Sequence, residues 1–390
     1  MTMRLVDVDT HTLAQAWIRM PVPLYRHDAA YIQPLDADIR AVFDPAKNER
    51  LRHGAARRWL LQDGAGAYIG RIAAFYEQER LADRPLAVGG MGFFECIDDV
   101  AAARLLLQAA EAWLQAAGIN AIDGPVNFGA RDRWWGCLAE GFHPPLYGAA
   151  YNLPYYPALL EACGYQLYFR QFTYNRPIFK PLHPIIHAKA ERLYADPAYS
   201  FRHLERSEID AYAEYFRICY NRAWGKHAGV HEMTPAQARE IVRELKPIMD
   251  PRLLWFGFYH NEPIAFFIML PELNQLFKHF AGKLHLWDKL RFLYMLRIRP
   301  VNVSFGVVYG VVPEHQGKGV EAGLVVAAAK VVQTPGATPY QRLEMNWIGD
   351  FNPKMVKLAE MMGGELYKTH HTYRKILDPA IPFERCPVIR

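Results

Sequence analysis

Along the first half of the chain, apolar positions alternate between period-two runs and longer helical stretches. Trp59 to Gln62 reads as a strand, Asp63-Gly64 as a turn and Ala67 to Tyr76 as the returning strand, since an Asp-Gly pair between two such runs is a strong hairpin signal. A third strand, Ala87 to Ile97, stops at Asp98-Asp99, carboxylates placed to cap the Ala- and Leu-rich helix predicted from Val100 to Ala117. Strand Ala121 to Val126, a long Gly- and Trp-rich loop and a helix from Leu153 to Ala162, closed by Gly164, complete this half.

The second half repeats that outline. Strand Tyr199 to Leu204 and helix Glu208 to Asn221 come first, and Thr234 then caps a helix from Pro235 to Leu245. Strands Leu253 to Tyr259 and Ile264 to Leu270 meet at His260-Asn261-Glu262. Strand Val303 to Val312, helix Val320 to Val332, strand Arg342 to Trp347, helix Pro353 to Met362 and a closing hairpin around Glu365 to Lys375 follow. Residues 152–164 and 352–363 both place an asparagine and a glycine around a short amphipathic helix, which points to a duplicated domain. The prolines between Pro177 and Pro184 mark the join, giving domains 1–180 and 181–390.

A chain of 390 residues exceeds one ordinary core, and 51% hydrophobic with 22% charged residues is globular composition. The net charge of +5 does not argue for nucleic acid, and no such partner is expected. Five cysteines without paired or metal-ligand spacing suggest a reducing compartment and no metal. With neither a signal peptide nor a membrane-spanning apolar run in view, a cytoplasmic location is expected.

The most informative stretch is Val311-Val-Pro-Glu-His-Gln-Gly-Lys-Gly-Val320, where a strand runs through a glycine turn into a helix. Unpaired N–H groups at the helix start and the absence of Cβ atoms at Gly317 and Gly319 suit a pyrophosphate. The loop lacks the features of a P-loop or of a dinucleotide fingerprint. It resembles the pyrophosphate loop, Q/R-x-x-G-x-G/A, of the GNAT superfamily of acyl-CoA N-acyltransferases, with Glu321 where the last small residue is expected. The resemblance covers residues 199–376 as a full GNAT domain and 3–175 as a diverged one. It implies an α/β (α+β) fold of two tandem domains, each a mixed, mostly antiparallel sheet flanked by helices. It also implies acetyl-CoA or a longer acyl-CoA as co-substrate, held by Val311, Val312, Gln316, Gly317, Lys318, Gly319, Val320 and Asn352. The N-terminal counterpart of the loop, Cys96-Ile-Asp-Asp, has no glycine and two carboxylates, and it should not bind CoA.

GNAT enzymes often protonate the leaving thiolate with a helix tyrosine, but the matching position is Ala359. Tyr309 and Tyr367 are the alternative acids, and each has a plain reading as a core or rim aromatic. For the base, Glu344 shares a strand face with Asn346, and His231 lies with Trp224 and His227 in the loop where such proteins build an acceptor site. Trp134, Trp135, Arg131 and Glu140 are candidate acceptor contacts in the long N-terminal loop; an ordered structural loop would read the same way.

Residues 271–300 form an insertion whose segment Leu276 to Arg299 carries a net +5, with Phe277, Phe280, Leu284, Trp287, Leu290 and Tyr294 at helical spacing. A basic amphipathic helical pair is expected, suited to an anionic membrane surface or a lipid chain, or else packed on its own domain. The leading expectation is an acyl-CoA-dependent N-acyltransferase acting on an amine, such as a lipid amine, with peripheral contact at the inner membrane face through residues 276–299. A non-catalytic acyl-CoA sensor or carrier and an aminoacyl-tRNA-dependent transferase are the alternatives.

Overall fold

Local sequence signals set the helix ends in the computed structural model, which describes residues 2–78, 86–129, 133–224 and 232–389. The first half contains β1 (Arg4–Asp7), α1 (His11–Arg19), α2 (Pro21–Leu24), α3 (Asp36–Val42), β2 (Gly54–Gln62), β3 (Tyr68–Glu77) and β4 (Val88–Cys96). It continues through α4 (Val100–Ala116), β5 (Ala121–Gly124), β6 (Cys137–Glu140), α5 (Tyr156–Ala162) and β7 (Gln166–Pro177). The second half runs α6 (Pro184–Tyr194), β8 (Tyr199–His203), α7 (Ile209–Trp224), α8 (Pro235–Leu245), β9 (Leu254–Tyr259), β10 (Glu262–Pro271) and α9 (Asn274–Phe277). Then come α10 (Leu286–Ile298), β11 (Val303–Val311), α11 (Val320–Val332), β12 (Arg342–Gly349), α12 (Pro353–Met361) and β13 (Glu365–Ile376). Asp99 accepts the N–H groups of Ala101 and Ala102, and Thr234 with Gln237 forms a capping box on α8.

Among the described residues, thirteen strands join one sheet, in the order β1-β2-β3-β4-β5-β13-β7-β12-β11-β10-β9-β8, with β6 paired to β13. The last strand of each half has changed sides: β13 pairs with β5 of the first half, and β7 pairs with β12 of the second. The two exchanged strands lie antiparallel at the centre. Within each half a parallel pair, β4 with β5 and β11 with β12, is bridged by a helix, α4 or α11. The mixed, mostly antiparallel sheet flanked by helices agrees with the expected fold class.

The expected closing hairpin is one twelve-residue strand, β13. An alternating polar and apolar run can satisfy two neighbours as a single strand, and β5 and β7 offer both edges. Leu106, Leu107 and Leu114 of α4 are fully buried on the first half of the sheet. In the second half α7 covers one face, with Phe216 against Phe266, while α11 covers the other, its Gly323 backing onto Phe201. No helix among the described residues is long and apolar enough to cross a membrane.

Candidate active site

At the end of β11 the chain turns through Gly317 (φ 74°) and Gly319 (φ 94°), both in the left-handed region that glycine reaches without strain. Gly319 is the N-cap of α11 and supplies no side-chain cap, so the first N–H groups of this thirteen-residue helix are left for another acceptor. A Cβ on Gly317 would meet nothing within 4 Å, which leaves open space above the turn. Gln316 folds back, its Nε2 donating to the Val311 carbonyl at 3.0 Å, and so ties the loop to the strand. Lys318 is exposed beside the turn, while Glu321 adds one carboxylate in the first turn of α11. An open glycine cradle at a helix N-terminus, with a lysine beside it, fits a pyrophosphate.

Strands β11 and β12 pair only from Val303–Arg342 to Gly306–Met345 and then diverge, opening a wedge in the sheet beside the loop. The Val312 N–H donates to Ile264 of β10 at 2.9 Å, so strand alternation turns the Val311 N–H the other way, toward the wedge. One backbone donor therefore faces the opening, and the Val312 donor is committed to the ladder.

A polar strip crosses the sheet at the closed end of this wedge. Glu344 and Asn346 of β12, Gln171 and Thr173 of β7, and Lys368, His370 and Thr372 of β13 share one face, linked by Thr173–Asn346, Lys368–Glu344 and Thr372–Gln171 hydrogen bonds. Lys368 Nζ meets Glu344 at 2.9 Å with both side chains almost fully buried. Burial pushes the Glu272 carboxyl up to about 8, against N–H groups donated by Asn274 and Tyr147, with Glu344 raising it further. Burial lowers His370 to about 4; its Nε2 lies 3.0 Å from the Ala150 carbonyl and must donate to it, which leaves Nδ1 as the acceptor. Gln171 Nε2 is buried without a partner on this face.

His143 stacks on Tyr367, ring centroids 4.1 Å apart. Desolvation, then the Lys368 and Arg342 cations, hold its imidazole below the ordinary value, so at neutral pH it is an uncharged, solvent-facing base. Glu272 and Asn274 of the second half grip the segment carrying Tyr147 and Pro145, and the Tyr147 hydroxyl donates to Asp38 of the first. Under this loop lies a cleft of about 950 Å³, open mouth included, whose walls include Ile18, Ile32, Leu35, Ile39 and Phe93. Its polar end is Glu95, which accepts from Tyr25 and Tyr156 at 2.6 and 2.9 Å and faces Arg71 at 3.5 Å; burial raises its carboxyl. Trp134, Ala149 and Ala150 line both this cleft and a smaller cavity reaching Asn346, Trp347 and His370.

The fold thus brings Glu344, Tyr367, Trp134 and Trp135 to one side of the sheet. Tyr309 faces the other: its ring meets Phe267, and its buried hydroxyl, pushed up by desolvation and by Glu321, lies beneath α11. Asn352 is a helix cap, accepting the Met355 N–H. Glu140 is exposed at the end of β6 and lines neither cavity. Arg131, His227 and His231 lie outside the described residues, and Trp224 is the last residue of α7. Sequence reasoning missed Lys368, His370, His143 and Glu272. Polar residues at positions 368, 370 and 372 of an expected strand were a usable signal for the first two.

No family model matches the chain. It is 27% identical over 381 residues to bacterial ceramide synthase of Caulobacter vibrioides, covering 96% of this chain and 97% of that one. A tandem GNAT protein from the clavulanic acid biosynthesis pathway superposes with a TM-score of 0.53 at 11% identity, over 97% of this chain and 99% of its own. A GCN5-related glucosamine N-acetyltransferase region of a fungal multi-domain GH3 beta-N-acetylglucosaminidase gives a TM-score of 0.56 at 12% identity; the match covers 96% of this chain and 38% of that protein. The fold is that of a tandem GNAT protein. The glycine turn stands at the start of α11 in the second half, whereas α4 in the first half starts at Asp99, whose carboxylate accepts the Ala101 and Ala102 N–H groups.

Proposed function

We propose that this chain is an acyl-CoA-dependent N-acyltransferase that moves an acyl group from a CoA thioester to the nitrogen of a lipid amine. The observation that carries the reading is the open Gly317–Gly319 cradle at the N-terminus of α11, beside the wedge between β11 and β12. A relative named bacterial ceramide synthase, aligned over nearly the whole of both chains, supports a lipid amine as acceptor, as does a cleft that joins an apolar wall of Ile18, Ile32, Leu35, Ile39 and Phe93 to the Glu95 carboxyl. Residues 181–390 then bind the donor, and residues 1–180 bind the acceptor. Five free cysteines favour a reducing compartment, and we place the protein in the cytoplasm.

In this reading the loop amides and Lys318 hold the phosphates at the open end of the wedge, where the Val311 N–H adds one more donor, and the acyl thioester reaches toward the closed end. Uncharged His143 takes the proton from the attacking amine, and Tyr367 at its side returns one to the departing thiolate. The ionic Glu344–Lys368 pair keeps the closed end of the wedge polar without leaving either charge unpaired. Buried Ala359 provides no phenol, and this favours a second reading, an acyl-CoA sensor without catalysis. Release of CoA thiol on adding long-chain amines supports the enzyme, and none across an amine panel supports the sensor. Gly319→Glu should abolish CoA binding by calorimetry in a folded protein, because a side chain at φ 94° is strained and its carboxylate would repel phosphate. Unchanged affinity would remove the loop from the argument.

A further inference from the structure

Helix α10 is apolar on two faces. Phe292 and Met295 pack inward, Phe292 stacking on Phe277 at 4.9 Å, in a small core that includes Leu35 of the first half. Leu286, Trp287, Leu290, Leu293, Tyr294 and Ile298 point outward and are 49 to 80% exposed. At 100° per residue these six span the outward side, with Lys289 on one flank, Arg291 on the other and Arg297 among them in the last turn. Lys283 and Arg299 add exposed cations at the two ends. His285 and Asp288 close a capping box, so the helix start is satisfied by its own side chains.

An outward apolar stripe this continuous, edged by cations, matches a helix lying in a membrane interface. Its position gives the match a purpose. The Gly282 carbonyl accepts the Asp36 N–H at 2.8 Å, and Arg19 reaches the Ala281 carbonyl, so the base of α10 is fastened to the segment carrying Gln33, Pro34 and Leu35. Those three residues and Asn274, at the start of α9, line the cleft.

We propose that α10 lies in the interface of an anionic bilayer and holds the rim of the cleft where a long-chain amine enters directly from the lipid. The membrane contact stands on α10 alone; the entry of an amine rests on the function proposed above. The test uses the full chain and vesicles of zwitterionic and anionic phospholipid at low salt. Wild type should bind, and brominated acyl chains should quench an emission that Trp287→Phe removes. Leu290→Glu with Leu293→Glu, both solvent-exposed, should weaken vesicle binding at least tenfold without changing thermal unfolding. Lys283→Gln, Lys289→Gln and Arg297→Gln together should weaken it about a hundredfold, since each cation near an anionic surface contributes about fivefold. The glutamate pair should also slow transfer to a long-chain amine held in vesicles at least tenfold while leaving a short-chain, water-soluble amine unaffected. Wild type that ignores anionic vesicles, or an unquenched Trp287, overturns the proposal. So does a sedimenting dimer that the glutamate pair dissolves, which would assign the stripe to a second copy of the chain. Vesicle binding as expected with no transfer to any amine would instead leave the membrane contact standing and sink the enzymatic reading.

Discussion

Lys368→Met should destabilise the protein by about 3–5 kcal/mol, the usual effect of removing one partner from a buried ion pair. The magnitude follows from the geometry: the Lys368 and Glu344 side chains are 3% and 5% exposed and 2.9 Å apart. Without the lysine, Glu344 is a desolvated carboxylate that must take up a proton to stay buried. Glu344→Leu combined with Lys368→Met removes both charges and should recover most of the loss. Urea titration followed by tryptophan fluorescence measures the four corners of the cycle. A single-variant loss below about 1 kcal/mol, or a double variant no better than the sum of the singles, would show that the pair is neither desolvated nor coupled. Thiol release then separates structure from chemistry, because a stable but inactive double variant gives the pair a role in transfer.

His143→Ala should lower kcat/KM by about 10²–10⁴ with CoA affinity intact. The wild-type acid limb should lie below 6.5, since protonation of the depressed imidazole removes the base; a limb above 6.5 argues against it. Glu272, with its carboxyl raised to about 8, is protonated when folded and ionised when unfolded between the ordinary carboxylate range and that value. Stability should therefore fall as pH rises through this window, by up to about 1.4 kcal/mol per pH unit, and Glu272→Gln should flatten the slope in thermal unfolding. Calorimetry should find one CoA site per chain, because Asp99 fills the helix start in the first half; two equal sites would refute the asymmetry.

Much of this molecule is written in short stretches of sequence, where the determining interactions are local. The β2–β3 hairpin, closed by Asp63 and Ala67 with Gly66 in the left-handed region, the Asp99 cap on α4, the capping box at Thr234 and the glycine loop each depend on residues within a turn or two of one another. Helical phase is equally local, and it misled where the helix was broken. A helical pair is expected for Phe277 to Tyr294, and the break between α9 and α10 carries Ala281 (φ 46°) and Gly282 (φ 75°), which sets the two helices in different phase. Phe277 and Phe280 consequently face the core while Trp287, Leu290 and Tyr294 face outward.

What only the tertiary structure decided is the exchange of β7 and β13 and everything that depends on it. Glu344 and Lys368 meet because β7, from the other half of the chain, lies between β12 and β13; His143 reaches Tyr367 because a first-half loop folds over second-half strands. Alternation along a strand reveals which residues share a face, but not which strand lies beside it. That choice belongs to the burial of the whole sheet, to which no single segment holds the answer.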